Sequence, residues 1–147
     1  GISNVTVVEP NTVRRERLLK DLSQFKILAS SDEAEQGAFD LIVDAVGYAA
    51  TREAACALAY PGGCIVHIGL GEATGGIDVR RVTLQEITFI GTYTYTMQDF
   101  RDTAAAIFDG RFGDFAWVEH RGLDDGAQAF DDLLNGRVAA AKIVLTT

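Results

Sequence analysis

The chain has 147 residues, of which 48% are hydrophobic and 23% charged, values that suit one folded domain and are too apolar for a disordered chain. Thirteen basic residues against 21 acidic ones give a formal charge of −8, a field that repels polyanions and argues against nucleic acid as a partner. No apolar run reaches the roughly 18–20 residues of a bilayer span, and two cysteines, Cys56 and Cys64, are too few for a structural zinc site or a disulfide scaffold. These bounds lead to the expectation of a soluble, cytoplasmic, acidic domain. The opening Gly1-Ile2-Ser3-Asn4 has neither an initiating Met nor a signal-peptide pattern, so a piece of a longer protein is expected.

In chain order, Val5-Thr6-Val7-Val8, bounded by Asn4 and Pro10, predicts a strand ending at Glu9. Asn11 or Thr12 can cap the helix predicted over 12–22, whose apolar stripe is Val13, Leu18 and Leu22. Residues 25–29 read as a second strand and 30–38 as an acidic loop with at most one helical turn. Residues 39–46 form an apolar run broken by Asp40 and Asp44, as in a parallel strand covered on both faces. Gly47 ends it, and Thr51 can cap an Ala-rich helix through Ala59. Pro61-Gly62-Gly63 reads as a stop and a turn, Cys64 to Ile68 as a buried strand ending in Gly69-Leu70-Gly71, and Ile77-Asp78-Val79 as strand-like. Residues 87–95 alternate and are rich in β formers, so they predict a strand. A helix at 97–109, a strand at 116–120, a helix at 124–134 and a strand at 142–145 complete the chain.

Strands alternating with helices at this spacing imply an α/β fold with a doubly wound parallel sheet. The connection over 30–38 must return about 17 Å and step sideways by two or three strand spacings, about 20–22 Å in all. Its residues stretch to about 30 Å, so no crossover helix is required. In such sheets ligands lie beyond the carboxyl ends of the strands, here at Glu9, at Gly47 with Tyr48, and at Gly69-Leu70-Gly71. An acidic residue closing a strand suits ribose hydroxyls, and glycines suit a flat ligand against bare backbone. On spacing alone, the more ordinary reading has Glu9 as a solvated carboxylate and the glycines as turn formers.

The segments Val7-Val8-Glu9-Pro10-Asn11 with Arg14-Arg15, Phe39-Asp40-Leu41-Ile42-Val43-Asp44-Ala45-Val46-Gly47, Pro61-Gly62-Gly63-Cys64-Ile65-Val66-His67-Ile68-Gly69, Ile87-Thr88-Phe89-Ile90-Gly91-Thr92 and Gly136-Arg137 through Lys142-Ile143-Val144-Leu145 together resemble the medium-chain, zinc-type alcohol and polyol dehydrogenases. The likeness runs through nearly the whole chain in the family's order. The stretch 92–96 and the ending look most like the sugar-alcohol branch.

The resemblance implies a Rossmann-like sheet truncated at its N-terminal side, with residues 1–115 as a partial dinucleotide-binding domain. Residues 116–147 would return to the catalytic domain of the longer enzyme. It implies a nicotinamide-dependent oxidoreductase acting on a small-molecule alcohol or polyol, with Glu9 on the adenosine ribose and Arg14 beside it. A carboxylate at Glu9 favours NAD, while Arg14 and Arg15 also supply charge for a 2′-phosphate and leave NADP open. Ala45, Val46 and Gly47 would pack near the nicotinamide half. Ile68, Gly69 and Leu70 would face its ring, with Thr92 and Thr94 close by, and Lys142 would approach the pyrophosphate. No catalytic residue is assigned within the chain.

The sequence departs from the family pattern in two respects. The Gly-x-Gly-x-x-Gly turn is absent, and Gly69 to Gly75 imitates it with the spacing wrong by one and a strand-like segment following. The zinc ligands expected in the parent enzyme are also absent. Cys56 and Cys64 read as core filler; His67 and His120 have no carboxylate or serine partner at motif spacing and read as structural or surface residues. Loss of the first strand predicts either that the strands at 5–9 and 39–46 become neighbours or that another chain fills the gap. The strand at 87–95 is expected at an edge that pairs two subunits into a homodimer. The alternative to the enzyme reading is an inert nucleotide-binding or dimerisation module.

Overall fold

Among the described residues, every strand pairs in parallel with a strand adjacent to it in sequence, across an intervening helix or loop. The computed structural model describes residue 2 and residues 4–147. The chain forms two compact units, one made of Gly1–Ser30 with Thr96–Thr147 and the other of Ser31–Tyr95.

In the first unit, β1 (Thr6–Val8) and β2 (Lys26–Leu28) pair in parallel, Thr6 opposite Lys26 and Val8 opposite Leu28. The helix between them, α1 (Thr12–Asp21), starts where the Asn11 side chain accepts a hydrogen bond from the Arg14 amide at 3.0 Å. Of the two candidate caps, Asn11 is the one used. Later in the chain, α4 (Met97–Phe108) opens with a reciprocal capping box: Thr96 Oγ1 accepts from the Asp99 amide at 3.1 Å, and the Asp99 carboxylate accepts from the Thr96 amide at 2.8 Å. The Thr96 hydroxyl, donating to the same carboxylate at 2.7 Å, and then the Thr96 amide hold the Asp99 carboxyl below its ordinary range. A second parallel pair, β6 (Val118–Gly122) with β7 (Lys142–Thr146), flanks α5 (Gly126–Leu134) in sequence. β6 begins two residues later than its composition suggests.

In the second unit, β3 (Phe39–Asp44), β4 (Ala59–His67) and β5 (Thr88–Gly91) form one parallel sheet in the order β3-β4-β5. Helix α2 (Ala49–Leu58) joins β3 to β4, and α3 (Val79–Leu84) precedes β5. Ala55, Cys56, Ala59, Ile65 and Ile87 form the buried core, with Ile42, Val82 and Phe89 packed against it. The α/β, Rossmann-like class expected from the sequence is the one observed.

Several local expectations are corrected. Pro61-Gly62-Gly63 does not precede β4 but interrupts it: Phe39 faces Ala59 while Leu41 faces Cys64, so residues 60–63 bulge out of the ladder with Gly62 at φ +78°. Helix α2 starts at Ala49 rather than Thr51, because Thr51 turns its hydroxyl back to accept the Tyr48 amide. Ile77-Asp78-Val79 is no strand; the Asp78 carboxylate accepts the Arg81 amide at 2.8 Å and caps α3. β5 stops at Gly91, and Thr94 takes a positive φ. The two-sided cover expected for β3 is missing, since Leu41 and Val43 are 50% and 56% exposed. Cys56 is buried but Cys64 only partly so. β1 pairs with β2 and β3 with β4, so the first alternative for closing the ladders, a β1–β3 pairing, is not formed among the described residues.

Candidate functional site

Because β3, β4 and β5 are parallel and in register at Asp44, His67 and Gly91, their carboxyl ends align and release three segments at one edge of the sheet. These segments carry Ala45, Val46 and Gly47, then Ile68, Gly69 and Leu70, then Thr92. The Thr92 amide donates to the His67 carbonyl at 2.9 Å, and the Ile68 and Gly69 amides both donate to the Asp44 carbonyl. Val46, Ile68 and Leu70 keep 51%, 47% and 78% of their surface in solvent, so an apolar rim stands above the sheet end.

Gly47 and Gly69 are buried beneath that rim, back to back. A Cβ on Gly47, which sits at φ +76°, would fall on the Gly69 carbonyl, and one on Gly69 would fall on the Val46 carbonyl group. Glycine is therefore already required at both positions by their mutual contact. Asp44, 5% exposed, ties the arrangement down from inside. Its Oδ1 accepts from the Val46 and Gly47 amides at 3.0 and 2.9 Å, and its Oδ2 accepts from the Thr51 hydroxyl at 3.0 Å. His67 Nε2 lies 3.6 Å from Asp44 Oδ2, beyond hydrogen-bonding range, and its ring packs on Phe89. The carboxylate absent from its sequence neighbourhood thus comes from the adjacent strand.

In the other unit, Glu9 follows β1 at its carboxyl end and is partly buried. Its Oε1 accepts from the Asn11 amide at 2.8 Å, which fixes the carboxylate. Glu9, Arg14, Leu18, Trp117, Ala139 and Ala141 are among the walls of a cavity of about 530 Å³. Arg14 Nε is buried there without a hydrogen-bond partner. Ala141 directly precedes Lys142, which is exposed at the start of β7. Arg15 is occupied elsewhere, its Nη1 donating to the Glu9 and Pro10 carbonyls at 2.9 Å each. Thus Glu9 and Arg14 meet at one cavity, with Lys142 adjoining it, and 45–47, 68–70 and Thr92 meet at the other unit's sheet edge.

Comparison with known proteins decides the family. Residues 1–109 match the family described as zinc-binding dehydrogenase. The chain belongs to the zinc-binding dehydrogenase family. Sorbitol dehydrogenase 1 of Saccharomyces cerevisiae is 25% identical over 93 residues, which are 63% of this chain and 26% of that protein. Acetophenone reductase from Geotrichum candidum, solved with NAD, superposes with a TM-score of 0.83 at 23% identity, over 98% of this chain and 41% of the other. The Escherichia coli K-12 protein YHDH, solved with NADPH, gives 0.72 at 19% identity, over 97% and 47%. The chain therefore spans about a quarter of the sorbitol dehydrogenase and less than half of either structure.

For a zinc-binding dehydrogenase, the metal is the group to test first. The residues present do not fit zinc: no cluster of three or more His, Cys, Asp or Glu side chains is placed to hold a metal among the described residues. A nicotinamide cofactor fits better, since the fixed Glu9 carboxylate and the orphaned Arg14 Nε offer an acceptor and a donor at one cavity.

The sequence reading overlooked Arg52 of α2, which is 5% exposed. Its Nη1 donates to the Gly47 carbonyl at 2.8 Å and to the Glu72 carbonyl at 3.2 Å. Its Nη2 donates to Thr74 O at 2.5 Å and its Nε to Gly75 O at 2.6 Å. The signal in the sequence was a glycine-rich loop at 69–76 whose carbonyls need donors.

Proposed function

We propose that this chain is the cofactor-side portion of a nicotinamide-dependent alcohol or sugar-alcohol dehydrogenase. The observation that carries the reading is Glu9, a carboxylate closing a parallel strand and held at one wall of a cavity shared with Arg14. In this reading Glu9 accepts hydrogen bonds from the adenosine ribose hydroxyls and Arg14 donates beside them. Lys142 offers its ammonium to the pyrophosphate. Ala45, Val46, Gly47, Ile68, Gly69, Leu70 and Thr92 receive the nicotinamide half, their apolar rim excluding water from the ring. When bound, NAD supplies the hydride-accepting carbon. Glu9 disfavours a 2′-phosphate by like charge, and Arg15, although positive, has its Nη1 engaged by two backbone carbonyls.

Residues 1–115 then act as the nucleotide-binding part, and 116–147 return to a catalytic domain that holds the zinc. The chain by itself does not turn over an alcohol. Two free cysteines and the lack of a helix long and apolar enough to cross a membrane, among the described residues, support a cytoplasmic site of action. β5 is the end strand of its sheet, with Ile90 46% exposed, which supports pairing with a second copy. Light scattering should then report a dimer rather than the 15.8 kDa monomer.

Calorimetry with NADH and NADPH tests the cofactor reading. NADH should bind about tenfold or more tightly than NADPH, and Glu9→Ala should erase the difference. Absence of heat with either nucleotide would leave the inert module as the better description.

A further inference from the structure

We propose that Arg52 is a positioning residue that sets the shape of the nicotinamide-facing segments; this rests on the reading that 45–47 and 68–70 receive that half of the cofactor. The argument starts from the cost of burial. A guanidinium that is 5% exposed must satisfy its donors locally, and here the acceptors are four backbone carbonyls rather than a carboxylate. One of those carbonyls, Gly47 O, belongs to the segment leaving β3, and three, at Glu72, Thr74 and Gly75, belong to the loop that leaves β4. The planar fork of Arg52 therefore reinforces, from the buried side, two segments that the backbone joins directly through Gly71 N to Val46 O at 3.1 Å and Glu72 N to Gly47 O at 2.9 Å. Lysine, a point donor with three protons on a flexible stem, lacks that geometry.

The other end of the loop is tied down as well. Glu72 Oε2 accepts from the Ala49 amide at 2.7 Å, at the first residue of α2. Its negative charge sits at the positive end of that helix. Arg81 does the converse at the last turn, donating to the Cys56 and Ala57 carbonyls at 2.6 and 3.1 Å. A Cβ at Gly76 would fall on the Ala49 carbonyl, so the loop backbone lies directly on the start of the helix. Helix α2 thus acts as a post to which the 69–76 strap is fastened, with Arg52 as the central fastening. None of the Arg52 nitrogens is left over for a ligand except one N–H, so it acts through Gly47 and the strap rather than on the cofactor.

Saturation-transfer NMR of the protein with millimolar NAD tests this, because nicotinamide and adenine protons report the two ends of the cofactor separately. The unsubstituted protein should saturate both ends. Arg52→Met should keep adenine saturation and lower the nicotinamide-to-adenine ratio by about threefold or more, and Arg52→Lys should not restore it. Glu72→Ala, at an exposed position that leaves the buried guanidinium in place, should move the ratio in the same direction by less, and it carries the test if Arg52→Met does not fold. Loss of both signals together, in a variant that still folds, would make Arg52 a mere support of the fold and overturn the proposal, as would an unchanged ratio in all variants. Adenine saturation without nicotinamide saturation in the unsubstituted protein would overturn the nicotinamide placement and this role with it, leaving Glu9 intact. Silence at both ends would overturn the cofactor reading itself.

Discussion

The carboxyl edge of the β3-β4-β5 sheet and the β6-α5-β7 segment are both parallel β-pairs with a helix between them in sequence, yet they are held by opposite means. At the sheet edge the ties are buried: Asp44 and Arg52, each 5% exposed, bond almost entirely to backbone, and glycines let the main chain touch itself. In β6-α5-β7 the ties are ion pairs that run from the partly buried Arg121 and Asp132, 17% and 16% exposed, out to the more exposed Glu119, Asp131 and Arg137. Arg121 bridges Glu119 and Asp132 at 2.7 and 2.8 Å, and Arg137 reaches Asp131 and, at 3.1 Å, Asp132. Only Ala129 is buried in α5, while Leu123, Phe130 and Leu134 stay 58%, 68% and 84% exposed. Buried polar ties determine a local shape because any other arrangement strands a polar group, whereas surface ion pairs stabilise weakly and tolerate exchange. The region proposed to face the nicotinamide is the one built rigidly.

The largest effect should come from adding one carbon at the locked edge. Gly47→Ala places a Cβ on the Gly69 carbonyl and forces alanine into a left-handed conformation. Together these should cost about 4 kcal/mol or more, seen as a large fall in the urea midpoint. A near-normal midpoint would mean that the two segments can part, and the contrast with β6-α5-β7 would collapse.

Next in size is Asp44→Ala. It strands the buried Gly47 amide and the part-buried Val46 amide, while the Thr51 hydroxyl can still donate to the Tyr48 carbonyl at 3.0 Å, for roughly 2–4 kcal/mol. Asp44→Asn should recover more than half, since an amide oxygen can still accept from both amides and its NH₂ can donate to Thr51. Thermal unfolding of the pair separates loss of the acceptor from loss of the charge.

How far these two regions could be read beforehand follows from what holds them. The strand ends were visible because Glu9, Gly47 and Gly69 interrupt apolar β-branched runs, and that pattern is local. The parallel direction followed from the alternation of elements. Arg52 was not legible: within Ala49-Ala50-Thr51-Arg52-Glu53 it looks like an ordinary solvated helix residue, and its role depends on a loop twenty residues later folding back onto it. The bulge at 60–63 and the start of α3 were misread for a similar reason. Pro61-Gly62-Gly63 carries a turn signal whether it precedes a strand or interrupts one, and Ile77-Asp78-Val79 alternates although Asp78 is used as a cap. His67 gained its carboxylate neighbour from a different strand, which spacing along the chain cannot reveal.

The smallest effect, and the one that tests the other side of the comparison, is at Asp132. Hydrogen bonds from Arg121, then Gln128 and Arg137, lower its carboxyl from 3.8 to about 2. A carboxyl whose pKa is depressed in the folded state stabilises fully above the unfolded value and loses that contribution as protons are taken up in the native state. The contribution should therefore be complete above pH about 4 and fade between about 4 and about 2. Asp132→Asn should lower Tm modestly at pH 7, the gap should close across that window, and about 1 M salt should shrink it, because its partner Arg137 is 47% exposed. Gly47→Ala, by contrast, should show the same deficit at every pH and salt concentration where the protein folds, since nothing in that contact titrates. If the Asp132→Asn gap were as large as that of Gly47→Ala and insensitive to salt, β6-α5-β7 would be held as tightly as the sheet edge, by means its exposed side chains do not show.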